Sequence, residues 1–332
     1  MRIGTVGSGF VVANFISAAR EVCGVNIDAV YSRTPERAEA FAAEQNVSTV
    51  YTCRDEFLAA DIDFVYVASP NSLHFNWAKD ALLAGKNVIC EKPFASNIRE
   101  AQELVALAKE KNLFLFEAIT VPHLPNLALL KEKLPLLGKI KLVQINFSQY
   151  SSKYNAFLQG TLPNVFNPEF SGGALMDLGC YNIAFIAELF GAPKNLNYFA
   201  NIASNGIDTS GLLVFEYDGF LATAVAAKDS RSKNFVQIQG EAGFVYIEAE
   251  SSRLIGFTLF TKDGEEYFDV QGDKDTLYFE AADFKRIYDT KDFTARDAFF
   301  EKTLTSVKLL DEARKSAGIV FPADEGSMNH AE

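Results

Sequence analysis

The first 118 residues alternate short apolar runs with stretches of helical periodicity, and a chain patterned this way has few choices beyond strand, crossover helix and parallel strand, repeated. Apolar runs from Arg2 to Val6, Asn26 to Tyr31, Asp63 to Ala68, Asn87 to Cys90 and Leu113 to Glu117 read as strands. Between them, Thr34-Pro35 supplies a cap followed by proline at the first helical position, and Asn97-x-x-Glu100 has the spacing of a capping box. Gly85 closes a helix that begins near Ser72. The predicted product is an α/β domain over residues 1–118, a doubly wound parallel sheet with helices on both faces.

Beyond residue 118 the texture changes. Pro122, Pro125, Pro135, Pro163 and Pro168 interrupt the chain, and later segments alternate apolar with polar residues over short spans. That period suits antiparallel strands with one face buried. Strands are expected at Ile140 to Tyr150, Leu196 to Ala203, Gly211 to Tyr217, Phe220 to Ala227, Asn234 to Gln239, Phe244 to Glu248, Leu254 to Phe260 and Glu265 to Val270. Asp218-Gly219 is a hairpin turn between two of them. A helix is expected from Phe293 to Ser316, and the tail after Asp324 reads as loose. Residues 119–332 are therefore expected to form a second, α+β domain with a mostly antiparallel sheet.

With 332 residues, 48% of them hydrophobic, the chain can bury a sizeable core. Its net charge of -12 argues against nucleic acid or an anionic membrane as partner, since both select basic surfaces. No apolar run approaches the roughly 20 residues of a spanning helix, and Met1-Arg2-Ile3-Gly4 runs straight into a strand, so a cytoplasmic location is expected. Cys23, Cys53, Cys90 and Cys180 are scattered, and the histidines are His74, His123 and His330, a pattern without a metal-site signature.

Gly7-Ser8-Gly9-Phe10-Val11-Val12 lies between the first strand and the first helix. There glycines permit a tight turn and close approach of backbone N–H groups to a pyrophosphate, which makes the domain Rossmann-like. Val12 stands where the motif's third glycine would pack the helix on the strand. After the second strand, where an acidic residue would bind a ribose 2'-hydroxyl, the chain has Ser32-Arg33, a donor and a planar cation suited to a 2'-phosphate. NADP(H) is thus favoured, with NAD(H) possible. Ser69-Pro70-Asn71 and His74 follow the strand Phe64 to Ala68 and are candidates to line the nicotinamide-ribose. The alternative makes Asn71 or Ser72 a helix cap and His74 a helix-surface residue. Glu91-Lys92-Pro93 ends another strand, with Glu91 and Lys92 as candidate cofactor contacts, and a lysine at the carboxyl edge of such a sheet directs its charge at a bound cofactor's reactive end.

In the second half, Gly172-Gly173-Ala-Leu-Met-Asp177-Leu-Gly-Cys-Tyr181 reads as a glycine pair entering a helix. Asp177 and Tyr181 are four residues apart and share a helix face, so the carboxylate can orient the phenol. The alternative is a buried tyrosine satisfied by its neighbour. Cys180 reads as a small core residue.

Together, Gly7-Ser8-Gly9, Ala68-Ser69-Pro70-Asn71, Glu91-Lys92-Pro93 and the segment from Gly172 to Tyr181 resemble the glucose-fructose oxidoreductase, inositol dehydrogenase and MocA family, nearest its dimeric dihydrodiol dehydrogenase and sugar dehydrogenase branch. The resemblance runs from Ile3 to Gly318-Ile-Val-Phe-Pro322. It implies an N-terminal NAD(P)-binding Rossmann domain and a C-terminal domain with an open sheet for substrate binding and oligomerisation. It also implies Lys92 beside the nicotinamide, Tyr181 as acid/base with Asp177 orienting the site, and hydride exchange with a sugar, polyol or cyclic diol. Many relatives carry histidine where this chain has Tyr181, which argues against a straightforward inositol dehydrogenase. Where the branch runs into an aromatic-Arg-Phe-His-Pro segment, this chain reads Ile119-Thr-Val-Pro122-His123-Leu-Pro125, and His123 is left as a candidate substrate contact. A dinucleotide-binding sensor and a glycoside hydrolase with a retained NAD are the rival readings. A small-molecule substrate and a homodimer or dimer of dimers complete the expectation.

Overall fold

The computed structural model describes residues 1–325 and divides into two compact units, Met1–Ala118 with Asp275–Leu304, and Ile119–Lys274 with the residues from Thr305 onward. The first unit is built from β1 (Arg2–Val6), α1 (Phe10–Arg20), β2 (Asn26–Tyr31), α2 (Pro35–Glu44), β3 (Thr49–Tyr51), α3 (Arg54–Ala59), β4 (Phe64–Val67), α4 (His74–Leu83), β5 (Asn87–Glu91), α5 (Ile98–Glu110) and β6 (Leu115–Ala118). Its strands form one parallel sheet in the order β3-β2-β1-β4-β5-β6. The chain moves one way from β1 and the other way from β4, so right-handed crossovers send their helices to opposite faces. The reversal opens a crevice at the carboxyl ends of β1 and β4, where such sheets take ligands. The strand β3 escapes the sequence pattern because it has three residues, none of them fully buried. Asn97 Oδ1 accepts the Glu100 N–H at 3.1 Å, as the capping box predicts, and the Glu100 carboxylate reaches back to the Ser96 N–H.

The second unit contains α6 (Pro125–Lys133), β7 (Ile140–Ser148), α7 (Tyr154–Leu158), α8 (Cys180–Phe190), and strands β8 (Asn195–Ile202), β9 (Asp208–Tyr217), β10 (Phe220–Ala227), β11 (Phe235–Gly240), β12 (Gly243–Ile247), β13 (Phe257–Thr261) and β14 (Gly264–Phe268). These make an open eight-stranded sheet, β14-β13-β12-β11-β7-β10-β9-β8. It is antiparallel except where β10 lies parallel to β7. One face is apolar and buried, with Val143, Ile145, Leu213, Phe215, Ala222, Ala224, Val236 and Ile238 all under 3% exposed. The other face alternates out to solvent. The segment Pro168–Phe190 is long and apolar enough to span a membrane, contrary to the sequence expectation, but 67% of its apolar window is buried as a core helix of this unit.

The expected division at residue 118 needs one correction. The helix α9 (Thr276–Asp289), absent from the sequence reading, belongs with the first unit, and α10 (Phe293–Ser316) is shared between the two. The physical reason is the core of the first sheet. Phe284 of α9 stacks on Phe116 with ring centroids 4.5 Å apart, and Ala281, Phe284 and Ile287 are 0% exposed in the cluster that holds Phe15, Phe64 and Tyr66. Without α9 that aromatic surface would face water. In the second unit, Arg314 (1% exposed) donates to Asp311 and Asp324 and to the Ile319 carbonyl, which ties down the chain at Asp324, just before the tail that the sequence reads as loose. Residues 326–332 of that tail lie outside the described residues.

Candidate active site

The glycine turn of the first unit has the backbone a dinucleotide needs. Gly7 sits at φ +114°, where a side chain is strained, and an added Cβ would stand 2.8 Å from the Ala68 carbonyl of the neighbouring strand's end. Gly9 begins α1 as its cap, in extended conformation and with no side-chain cap, and a Cβ there would meet nothing within 4 Å. The first-turn N–H groups of α1 thus carry no side-chain cap, and helix N-termini of this kind attract anions. Ser8 is half-buried, while Phe10 (79% exposed) and Val11 (45%) project outward. Val12, in the place of the third glycine, turns inward at 1% exposure with its Cγ2 3.5 Å from where a Gly7 Cβ would be. The substitution is accommodated by packing, and the turn is kept.

Ser32 is held by its N–H to the Tyr51 carbonyl at 3.2 Å, and Arg33 extends exposed beyond the end of β2. Ser69-Pro70 forms the loop after β4, and Asn71 starts a single 3-10 turn, Asn71–Leu73, whose cap position is Pro70. His74 is neither a surface residue nor placed to reach a ligand through its ring nitrogens. It is 1% exposed, with Nδ1 2.9 Å from the Pro93 carbonyl and Nε2 2.8 Å from the Ser69 carbonyl. Burial holds its pKa below the usual imidazole value, and the Lys92 charge adds to that. The ring thus bridges the loop after β4 to the turn after β5.

Glu91 is corrected in the same way. Its carboxylate accepts the Tyr66 hydroxyl at 2.5 Å and the Lys92 N–H at 3.2 Å, so it fixes the turn from inside rather than pointing at a cofactor. Lys92, half-buried, is followed by a cis Pro93. A second carboxylate sits behind this turn: Glu117 of β6 is 8% exposed and accepts hydrogen bonds from the Phe94 N–H and the Thr303 hydroxyl. Burial pushes its pKa up to about 7, helped by the Glu91 charge. Glu280 of α9, 0% exposed, is raised as well, by burial first and then by Glu91 and Glu117.

In the second unit, the expected α-helical spacing of Asp177 and Tyr181 is interrupted. Leu175–Gly179 is one turn of π-helix, and α8 starts only at Cys180. Such turns store an extra residue and recur at functional sites. The π turn is anchored by Asp208, which is 1% exposed and accepts the Leu175 N–H at 2.6 Å and the Tyr198 hydroxyl at 2.7 Å. Gly173 is required here, at φ +117°, because a Cβ would lie 2.0 Å from the Asp208 Oδ1. Tyr181 packs on Phe147, Ala174, Leu178 and Ala226. The Asp177 carboxylate is ion-paired with Lys228, a residue that the sequence reading passed over. A signal for it existed: Lys228 continues the buried alternation of Ala222, Ala224 and Ala226, where a charge is out of place unless paired. His123 lies in a 3-10 turn, Val121–His123, packed against α8, the helix that opens with Cys180-Tyr181.

The raised Glu117 pKa has a consequence for stability. Between the usual value of 4.5 and about 7, the folded protein keeps a proton on Glu117 that the unfolded chain has lost, so this group's contribution falls as pH rises through that window. In urea unfolding followed against pH, Glu117→Gln is expected to remove up to about 1.4 kcal/mol of that downward slope per pH unit. A slope unchanged from wild type would show that Glu117 titrates normally.

Comparison with known proteins agrees with this architecture. Residues 1–118 match the GFO/IDH/MocA oxidoreductase family with an NAD-binding Rossmann fold, and residues 135–246 match the C-terminal domain of the same family. The scyllo-inositol 2-dehydrogenase (NADP(+)) IolU of Bacillus subtilis is 37% identical over 327 residues, covering 98% of this chain and 99% of that protein. A trans-1,2-dihydrobenzene-1,2-diol dehydrogenase of Mus musculus is 26% identical across 98% of this chain and 99% of its own length. Among solved structures, a levoglucosan dehydrogenase in complex with NADH and levoglucosan superimposes with a TM-score of 0.82 at 19% identity, covering 96% of this chain and 97% of that one. A parallel dinucleotide fold, a matching second domain and a full-length relative at 37% identity converge on one assignment: this chain belongs to the GFO/IDH/MocA family of oxidoreductases.

Proposed function

We propose that the protein oxidises a secondary hydroxyl of a cyclic polyol, or reduces the corresponding ketone, with NADP(H) favoured over NAD(H) and scyllo-inositol as the first substrate to test. The observation that carries this reading is the full-length likeness to IolU, whose name states both NADP and scyllo-inositol. That relative also weighs against the expectation that Tyr181 turns the chain away from inositol dehydrogenases. The glycine turn at Gly7 and Gly9 would hold the pyrophosphate, and Ser32 with Arg33 would hold a 2'-phosphate. When bound, the nicotinamide supplies hydride acceptance or donation.

The remaining chemistry is the chain's own. Tyr181 takes the hydroxyl proton at its phenolic oxygen during oxidation and returns it during reduction. Lys92, held by the Glu91 turn, supplies a positive charge that polarises the substrate oxygen. Asp177 accepts a hydrogen bond that orients the site. Acid/base catalysis typically contributes about 10² to 10⁴-fold, so Tyr181→Phe and Lys92→Ala are each expected to lower kcat by such factors with little change in cofactor affinity. Turnover near wild type in Tyr181→Phe, with scyllo-inositol and NADP at saturation, would remove the acid/base assignment.

Arg33→Ala is expected to weaken NADP(H) binding while NAD(H) binding stays near wild type. Equal losses for both, in a fluorescence titration, would show that Arg33 does not read the 2'-phosphate.

The assembly proposal rests on the solvent face of the eight-stranded sheet. Leu142, Leu221, Leu212 and Phe199, 42%, 46%, 37% and 64% exposed, place apolar side chains on that face across β7, β10, β9 and β8, the kind of surface that marks an interaction site. We infer a homodimer, or a dimer of dimers, formed through it. Light scattering at micromolar concentration should give at least twice the 36.6 kDa chain mass, and a monomeric mass would contradict the inference.

A further inference from the structure

Lys228 follows the last residue of β10, and its side chain is only 7% exposed. Its backbone is pinned on both sides: its N–H donates to the Thr209 carbonyl at 2.8 Å, and its carbonyl accepts the Ser151 N–H at 2.9 Å. The ammonium is therefore delivered from a fixed point, and its partner is Asp177 Oδ2. Ala226, two residues earlier on the same sheet face, belongs to the cluster against which Tyr181 packs. The absence of bulk at Ala226 lets the π turn come close, since a Cβ on Gly179 would lie 3.7 Å from the Ala226 Cβ. One strand face thus presents a small residue to the Tyr181 cluster and, one step on, a buried cation to Asp177.

We propose that Lys228 is a positioning residue for the proposed reaction: it holds Asp177 as a carboxylate, in a fixed place on the π turn, so that Asp177 serves the substrate as a charged acceptor and never as a proton donor. This rests on the reading that Tyr181 and Asp177 serve a polyol. A buried ammonium without a partner is costly, so the position of Lys228 demands an ionised Asp177, and the cation in turn disfavours protonation of that carboxylate.

The experiment is a double-mutant cycle on kcat/KM for the cyclitol or sugar giving the highest turnover with NADP, measured across pH. Lys228→Met is expected to lower kcat/KM by up to about 100-fold, as misplacement of an orienting group does, and to move the acid limb of the profile to higher pH. Lys228→Arg, which keeps the cation, should hold the acid limb where wild type has it. In an Asp177→Asn background, Lys228→Met should cost no more than about a further twofold, because the two act as one unit. Cofactor titration should be unaffected in every variant. An unmoved acid limb in Lys228→Met, or losses that multiply in the double variant, would overturn the role. If Lys228→Met does not fold, Lys228→Gln, which keeps an N–H donor toward Asp177 but no charge, is measured in its place: an acid limb moved to higher pH supports the role, and an unmoved limb overturns it. Tyr181→Phe measured alongside separates the two ideas: full turnover there removes the acid/base reading of Tyr181, whereas an unmoved acid limb in Lys228→Met removes only the role of Lys228.

Discussion

An ionisable group taken out of water without a partner costs several kcal/mol, and the local structure of both candidate regions is arranged around that cost. In the first unit, the strand ends carry Glu91 and Glu117 into the core, and each carboxylate is given donors from the turn that bears Lys92: the Lys92 N–H for one, the Phe94 N–H for the other. His74 closes the arrangement from the side by spanning the Ser69 and Pro93 carbonyls. The lysine is thereby held by neighbours whose own burial leaves them little room to move. In the second unit Asp208 anchors the π turn and Lys228 captures Asp177.

This explains why residues in the candidate motifs divide into two kinds. Gly7, Gly9, Ser32, Arg33 and Lys92 stand at strand or turn ends and keep part of their surface open to solvent, where sheets of this kind take ligands. Glu91 and His74 share the same short stretches of sequence but face inward, and they act on the site by holding its backbone. Adjacent residues in a motif need not have adjacent functions. Glu91 ends its strand facing the core while Lys92 already belongs to the turn, so neighbours in sequence have different surroundings.

The relation to IolU gives the substrate proposal its direction, while the structural neighbours establish only the fold. In the second unit, the Tyr181 phenol and the Asp177–Lys228 ion pair are the polar groups from which the proposal for a hydroxyl-rich substrate is argued.

The sequence by itself determined the parallel sheet, the glycine turn and the Lys92 and Asp177 candidates, because period-2 and period-3.6 patterns, turn residues and short spacings are local properties. Gly85, Asn97 and Asp218-Gly219 were legible for the same reason. It did not determine β3, whose three half-exposed residues carry no period, nor α9, whose apolar face is explained only by the distant aromatic surface of Phe64 and Phe116 that it covers. Nor could it place the π turn, which interrupts the helical spacing of Asp177 and Tyr181 and depends on Asp208, 31 residues after Asp177 in the chain. The pairing of Asp177 with Lys228, 51 residues apart, was decided by the register of β10 beneath the π turn. Partners this far apart in sequence leave no local signature, and only the folded sheet brings their charges together.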